Sequence, residues 1–195
     1  MNENLLNSKN FKMFGSKQME SIAKKIKIVV FDFDGVFTDN SVYTTEDGKE
    51  IIKNSKYDSM GISKANRRQN FELNKVPYIV FSSETNPTVT KRCEKMKIEH
   101  HTSGDKLKDL GTHPKTKHIN LDDIAFIGND INDMECLLHV GMPIIVPDSS
   151  SDVVDELNKK LSSVYVTKNS GGNGAVREVI DYFERIKIPP LTYNL

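Results

Sequence analysis

The 195-residue chain has little cysteine, no excess of charge of either sign and no long apolar run. Cys93 and Cys136 lie far apart and form no Cys-x-x-Cys pair. That argues against a disulfide framework or a zinc site and for free thiols in a reducing compartment. With 27 Lys+Arg against 27 Asp+Glu the formal net charge is zero, which removes the electrostatic case for a dedicated nucleic-acid or anionic-membrane binder. No apolar stretch approaches the ~20 residues needed to span a bilayer. The polar stretch Met1 to Ser21 lacks the apolar core of a secretory signal, so a cytoplasmic location is expected. The histidines show no His-Glu-x-x-His spacing, and His100 and His101 would face opposite ways on a strand. What is present suits one folded domain: 37% hydrophobic residues, including 9 Phe and 6 Tyr, with 28% charged residues for a soluble surface.

From Lys27 onward, short apolar runs alternate with helical patterns. The runs are 28–31, 76–81, 124–127, 144–146 and 164–166. Their β-branched, nearly continuous apolar character predicts strands covered on both faces. Helices are expected at Gly61 to Asn74, Pro87 to Met96, Lys106 to Leu110, Ile131 to Val140, Ser151 to Leu161 and Ala175 to Ile186, the last ended by Pro189-Pro190. This alternation predicts an α/β fold, a doubly wound (Rossmann-like) parallel sheet. Residues 1–25 read as a loosely attached extension with a helix over Lys17 to Lys25, residues 26–188 as the domain, and residues 189–195 as a tail. One segment breaks the pattern: residues 41–45 and 49–53 flank an Asp47-Gly48 turn and predict a β-hairpin. It is either a flap over the ligand-binding edge or a surface hairpin.

The ends of the apolar runs carry the chemistry. The first run ends in Asp32-Phe33-Asp34-Gly35, the second in Ser82-Ser83-Glu84, and the third in Gly128-Asn129-Asp130-Ile131-Asn132-Asp133. In a parallel sheet these endings meet at the carboxyl edge, where open α/β sheets bind ligands. Lys106 opens a helix after Ser103-Gly104-Asp105 and can reach the same edge. A single Asp at a strand end is usually a cap. Asp32 and Asp34 are different: at i and i+2 of an extended segment they repel each other unless a cation or a shared proton intervenes.

This constellation resembles the haloacid dehalogenase superfamily of phosphotransferases, with Asp32-Phe33-Asp34-Gly35-Val36-Phe37-Thr38-Asp39, Ser82, Lys106 and the 128–133 segment as its four motifs. The form Asp-Gly-Val-x-Thr-Asp, the hairpin and the late segment 170–178 are similar to one branch. That branch holds 3-deoxy-D-manno-octulosonate 8-phosphate phosphatases, nonulosonate 9-phosphate phosphatases and the C-terminal domains of some CMP-sialic acid synthetases. The resemblance implies a Mg²⁺-dependent phosphomonoesterase working through an aspartyl-phosphate. Asp32 would be nucleophile and Asp34 the general acid and base, with Ser82 and Lys106 on the phosphoryl group. Asp32, the main chain of Asp34, Asn129 and Asp130 would hold Mg²⁺, and Asp133 would hold Lys106 or a metal water. Family phosphatases have Asp where this chain has Asn129, which removes one formal charge from the ion's ligands.

The motifs leave no room for a separate cap domain, and the resemblance implies that the hairpin and a neighbouring subunit of a homotetramer cover the site. It also implies a small phosphorylated sugar acid as substrate, contacted by Ser83, Glu84, Asp58, Arg92, Lys95 and Arg177. Glu84 resembles the nine-carbon branch and favours that substrate. Four of the others have a plain structural alternative: Asp58 a helix cap, Arg92 and Lys95 a solvated helix face, and Arg177 the turn that follows the glycine cluster 171–174. The rival reading is a weakly active or inactive oligomerisation domain like the synthetase appendage.

Overall fold

The computed structural model describes residues 9–69 and 76–187. Strand β2 (Ile28–Phe31) is fully buried and forms the axis of the molecule. Its side chains alternate between two cores, as a strand's period of two requires. Val29 and Phe31 join one core, and Ile28 and Val30 the other.

Six further strands flank β2 in parallel: β1 (Phe11–Met13), β5 (Tyr78–Ser82), β6 (Glu99–Thr102), β7 (Ile124–Gly128), β8 (Met142–Ile145) and β9 (Val164–Val166). The order is β1-β9-β8-β7-β2-β5-β6. After β2 the chain winds outward through β5 and β6, then returns to β7 on β2's other side and winds the opposite way. The crevice outside the β2 and β7 tips is therefore the topological switch point.

Helices α1 (Lys17–Ala23), α2 (Lys56–Gln69), α3 (Pro87–Met96) and α7 (Ala175–Lys187) cover one face through Met19, Ile62, Val89 and Val179. Helices α4 (Lys106–Thr112), α5 (Met134–His139) and α6 (Ser151–Lys160) cover the other through Leu110, Leu137 and Val154. The fold is the expected doubly wound α/β sandwich. The hairpin is present as antiparallel β3 (Thr38–Thr44) and β4 (Glu50–Asn54), with Tyr43 opposite Ile51. Among the described residues no second domain is inserted, and no helix is long and apolar enough to cross a membrane.

Several expectations need correction. Residues 11–25 are not a loose extension: β1 pairs in register with β9, from Phe11 with Val164 to Met13 with Val166. Met19 and Ala23, at i and i+4, bury one face of α1, and the Phe14 ring meets Tyr182 edge-on at 4.8 Å. That helix ends at Ala23 rather than Lys25. Helix α2 starts at Lys56, ahead of Gly61, because the Ser55 hydroxyl accepts from the Tyr57 N–H at 3.1 Å and so caps an earlier turn. The expected helix over 131–140 divides into a 3₁₀ turn, Ile131–Asp133, and α5. Strand β6 was not foreseen. The end of the helix expected to reach Asn74, the tail 189–195 and the Pro189-Pro190 stop lie outside the described residues.

Candidate active site

Strand β2 carries Asp32 straight into the crevice: its N–H continues the ladder onto Ile127 O at 2.8 Å, and the residue is 3% exposed. The chain then turns tightly. Gly35 has φ +74°, and Phe37 N–H closes back onto Phe33 O at 2.8 Å. A Cβ at Gly35 would stand 2.0 Å from Asn129 Nδ2, so the main chain here approaches the β7 tip as only glycine allows. The Thr38 hydroxyl accepts from Gly35 N–H at 3.0 Å and donates to Asp34 at 3.5 Å. Thr38 thus braces the second carboxylate from within the turn.

Lys106 links the motifs. Its ammonium donates to Asp32 Oδ1 at 2.7 Å and to Asp133 Oδ1 at 2.6 Å, all three side chains being almost wholly buried. Burial alone would lower the lysine's pKa, but the two carboxylates outweigh it and raise it. Burial first, then the Asp133 charge, push Asp32 well above the usual carboxylate range against the pull of Lys106. Asp34 is also raised, by burial and then by Glu84. A cation beside Asp32 would offset its burial and the Asp133 charge and so favour the ionised carboxylate.

The β7 tip supplies the complementary atom. Asn129 is 4% exposed, and its Oδ1 is buried with no hydrogen-bond partner. An orphaned amide oxygen costs free energy unless something electropositive meets it. Among the described residues no three His, Cys, Asp or Glu side chains converge as a metal cage. A carboxylate and an amide oxygen are hard oxygen donors, the kind a hard divalent cation takes when waters and phosphate oxygens complete its shell. Asp32 and Asn129 fit such an ion. Asp130 accepts from Ile131 N–H at 2.8 Å through Oδ1 and forms a capping box with Asp133. Asp133 also accepts from Asn129 N–H at 2.9 Å, fixing the β7 tip and Lys106 together.

The other expected residues divide by place. Ser82 is 1% exposed at the β5 tip, where its hydroxyl accepts from Glu84 N–H at 3.1 Å. Ser83 is exposed, and its hydroxyl accepts weakly from Asn132 Nδ2 at 3.5 Å. The Glu84 carboxylate accepts from Asn86 N–H at 2.7 Å, closing the turn into α3. Asp58 is buried and accepts from Arg177 N–H at 2.8 Å, tying α2 to the start of α7. The Arg177 guanidinium pairs with Asp181 at 2.7 Å and lines a cavity of about 550 Å³ with Tyr57 and Tyr182. Arg92 bonds the Ser59 hydroxyl and, with Lys95, lines a cavity of about 410 Å³ between α2 and α3. Neither of these two cavities is lined by Asp32, Ser82 or Lys106.

No protein-family model matches the chain. The 3-deoxy-D-manno-octulosonate 8-phosphate phosphatase KdsC of Escherichia coli K12 is 26% identical over 172 residues, covering 86% of this chain and 85% of the relative. A crystal structure from Streptomyces avermitilis, assigned to the HAD family of hydrolases, is 31% identical with TM-score 0.70, covering 83% of this chain and 87% of that one. The 3-deoxy-D-manno-octulosonate 8-phosphate phosphatase of Moraxella catarrhalis, solved with magnesium, phosphate and KDO, is 26% identical with TM-score 0.74 over 87% of this chain and 92% of its own. Sequence, fold and buried acid–lysine pocket thus agree, and the chain belongs to the haloacid dehalogenase superfamily as one of its phosphatases.

Proposed function

We propose that the chain hydrolyses the phosphomonoester of an octulosonate 8-phosphate-like sugar acid through an aspartyl-phosphate on Asp32, with Mg²⁺ as the resident ion. The observation that carries this reading is the buried Lys106 ammonium shared by Asp32 and Asp133 beside the orphaned Asn129 oxygen. When bound, Mg²⁺ neutralises phosphoryl oxygens and keeps Asp32 ionised. Asp32 and Asn129 would hold it, with the main-chain carbonyl of Asp34. An Asp32 oxygen attacks phosphorus, and the P–O bond to the sugar breaks. Asp34 gives its proton to the departing alkoxide; its raised pKa keeps that proton available. Asp34 then takes a proton from the water that attacks phosphorus, releasing phosphate and free Asp32. The Ser82 hydroxyl and Lys106 stabilise charge on the transferring group.

Two KdsC-type relatives act, by name, on the eight-carbon acid phosphate, and the Glu84 carboxylate that favoured nine carbons is engaged in its own turn. We therefore favour eight carbons. Val42, Tyr43, Ile51, Tyr57 and Met60 expose apolar surface on the hairpin and the start of α2, which supports a second copy, within a homotetramer, covering this rim. Turnover of eight- and nine-carbon acid phosphates with MgCl₂, compared for the wild type and Asp32→Asn, tests the reading. Eight-carbon preference lost in Asp32→Asn is expected; a folded wild type inactive on both would overturn it.

A further inference from the structure

We propose that Asp109 is a positioning residue for Lys106, acting through Ser103; this rests on the reading that Lys106 serves the phosphoryl group. Lys106 is delivered by the loop 103–105 between β6 and α4. Ser103 is 1% exposed and is held from both sides. Its N–H donates to the carbonyl of Ser82 at 2.8 Å, joining the loop to the β5 tip. Its hydroxyl donates to Asp109 Oδ2 at 2.6 Å. The same oxygen lies 3.2 Å from His101 Nε2 on β6, whose ring packs against Phe81 with centroids 5.1 Å apart. A single carboxylate oxygen therefore gathers β6, the loop and α4, and through Ser103 it reaches the main chain of Ser82.

Asp109 touches none of the reacting groups; its effect is on where the lysine stands. At rest the Lys106 ammonium is also tethered by Asp32 and Asp133. During turnover Asp32 carries the phosphoryl group, so the ammonium exchanges the Asp32 carboxylate for phosphoryl oxygens that arrive and leave with each cycle. What then fixes the lysine is Asp133 and its own backbone, and the backbone is set by the Ser103–Asp109 clamp. Misplacement of a catalytic group by about 1 Å can lower the rate 10²-fold.

The test measures kcat and KM for octulosonate 8-phosphate and p-nitrophenyl phosphate, with MgCl₂, in Asp109→Ala, Asp109→Asn, Ser103→Ala and the Ser103→Ala/Asp109→Ala double variant. Asp109→Ala is repeated in a Lys106→Met background. Expected for Asp109→Ala is kcat lower by about 10- to 100-fold with KM moving less than about twofold, since positioning is felt in the transition state. Asp109→Asn, which keeps an oxygen facing Ser103, recovers most of kcat. The double variant falls no lower than the weaker single, and Asp109→Ala adds nothing once Lys106 is gone. The proposal is overturned by an unchanged kcat in Asp109→Ala, or by an equal loss in the Lys106→Met background. An inactive wild type would remove the catalytic reading of Lys106 and this proposal with it. An active wild type beside an unaffected Asp109→Ala removes the proposal alone.

Discussion

Lys106→Met isolates the energetics of the pocket. The substitution keeps side-chain length and deletes the charge, leaving Asp32 and Asp133 side chains, 4% and 0% exposed, without their shared ammonium. Removing one partner of a buried ion pair costs about 3–5 kcal/mol. In a domain of this size each kcal/mol moves Tm by about 2–4 °C, so a fall of about 6–20 °C is expected near neutral pH. The pH dependence has a definite sign. Without the ammonium, at least one carboxylate has a folded-state pKa above its unfolded value. Stability held by its protonated form is fully present below the unfolded value and is lost as pH rises through the folded one. The deficit against wild type therefore shrinks on acidification and grows toward neutrality. Thermal melts by circular dichroism, wild type and variant side by side between about pH 5 and pH 8, read it directly. A variant with wild-type Tm near neutrality, or a deficit that deepens in acid, would refute the reasoning.

Gly35→Ala forces a Cβ to within 2.0 Å of Asn129 Nδ2 at φ +74°, so the amide must move. Weaker Mg²⁺ activation is expected in a metal titration of turnover, and an unmoved half-saturation point would count against Asn129 as a ligand. Asp58→Ala strips the acceptor from Arg177 N–H and should cost about 1–3 kcal/mol in urea unfolding; no measurable loss would contradict the α2–α7 tie. Cys93 and Cys136 are both buried, burial pushing the Cys93 thiol up to about 12 and Cys136 also up. Neither should react with a thiol reagent in the native state at mildly alkaline pH, and both should react in denaturant; rapid native labelling would mean the cores open easily.

Residues whose role costs free energy locally were the legible ones. Asp32 and Asp34 are like charges two apart on a strand end, and Asn129 and Asp133 sit where the third apolar run breaks off; Lys106 follows no apolar run and is marked only by opening a helix after Ser103-Gly104-Asp105. The central strands were legible for the opposite reason: β2, β7 and β9 are apolar on both faces. Strand β6 is hard to read because Glu99-His100-His101-Thr102 is polar, and its His101 ring packs against the Phe81 and His113 rings rather than through aliphatic alternation. Strand β1 is three residues long, and only its pairing with β9 makes it a strand. Asp130 illustrates how one residue type suits two readings: a carboxylate at a strand tip can ligate an ion or cap a turn, and here it caps the 3₁₀ turn Ile131–Asp133. The Ser103–Asp109 bond leaves no trace in spacing, because it depends on how the loop folds back over α4.

The pairing of β1 with β9 sets an order on biogenesis. Phe11 finds Val164, and Phe14 finds Tyr182, only after every strand between them has been made. Strand β1 is made before the other strands of its sheet and docks after them, and its apolar side chains stay uncovered while the strands between condense. Contacts this distant in the chain slow folding, and they make β1 and β9 depend on each other. A nascent chain halted before the ninth strand would expose both sheet borders, a state that chaperones and proteases recognise.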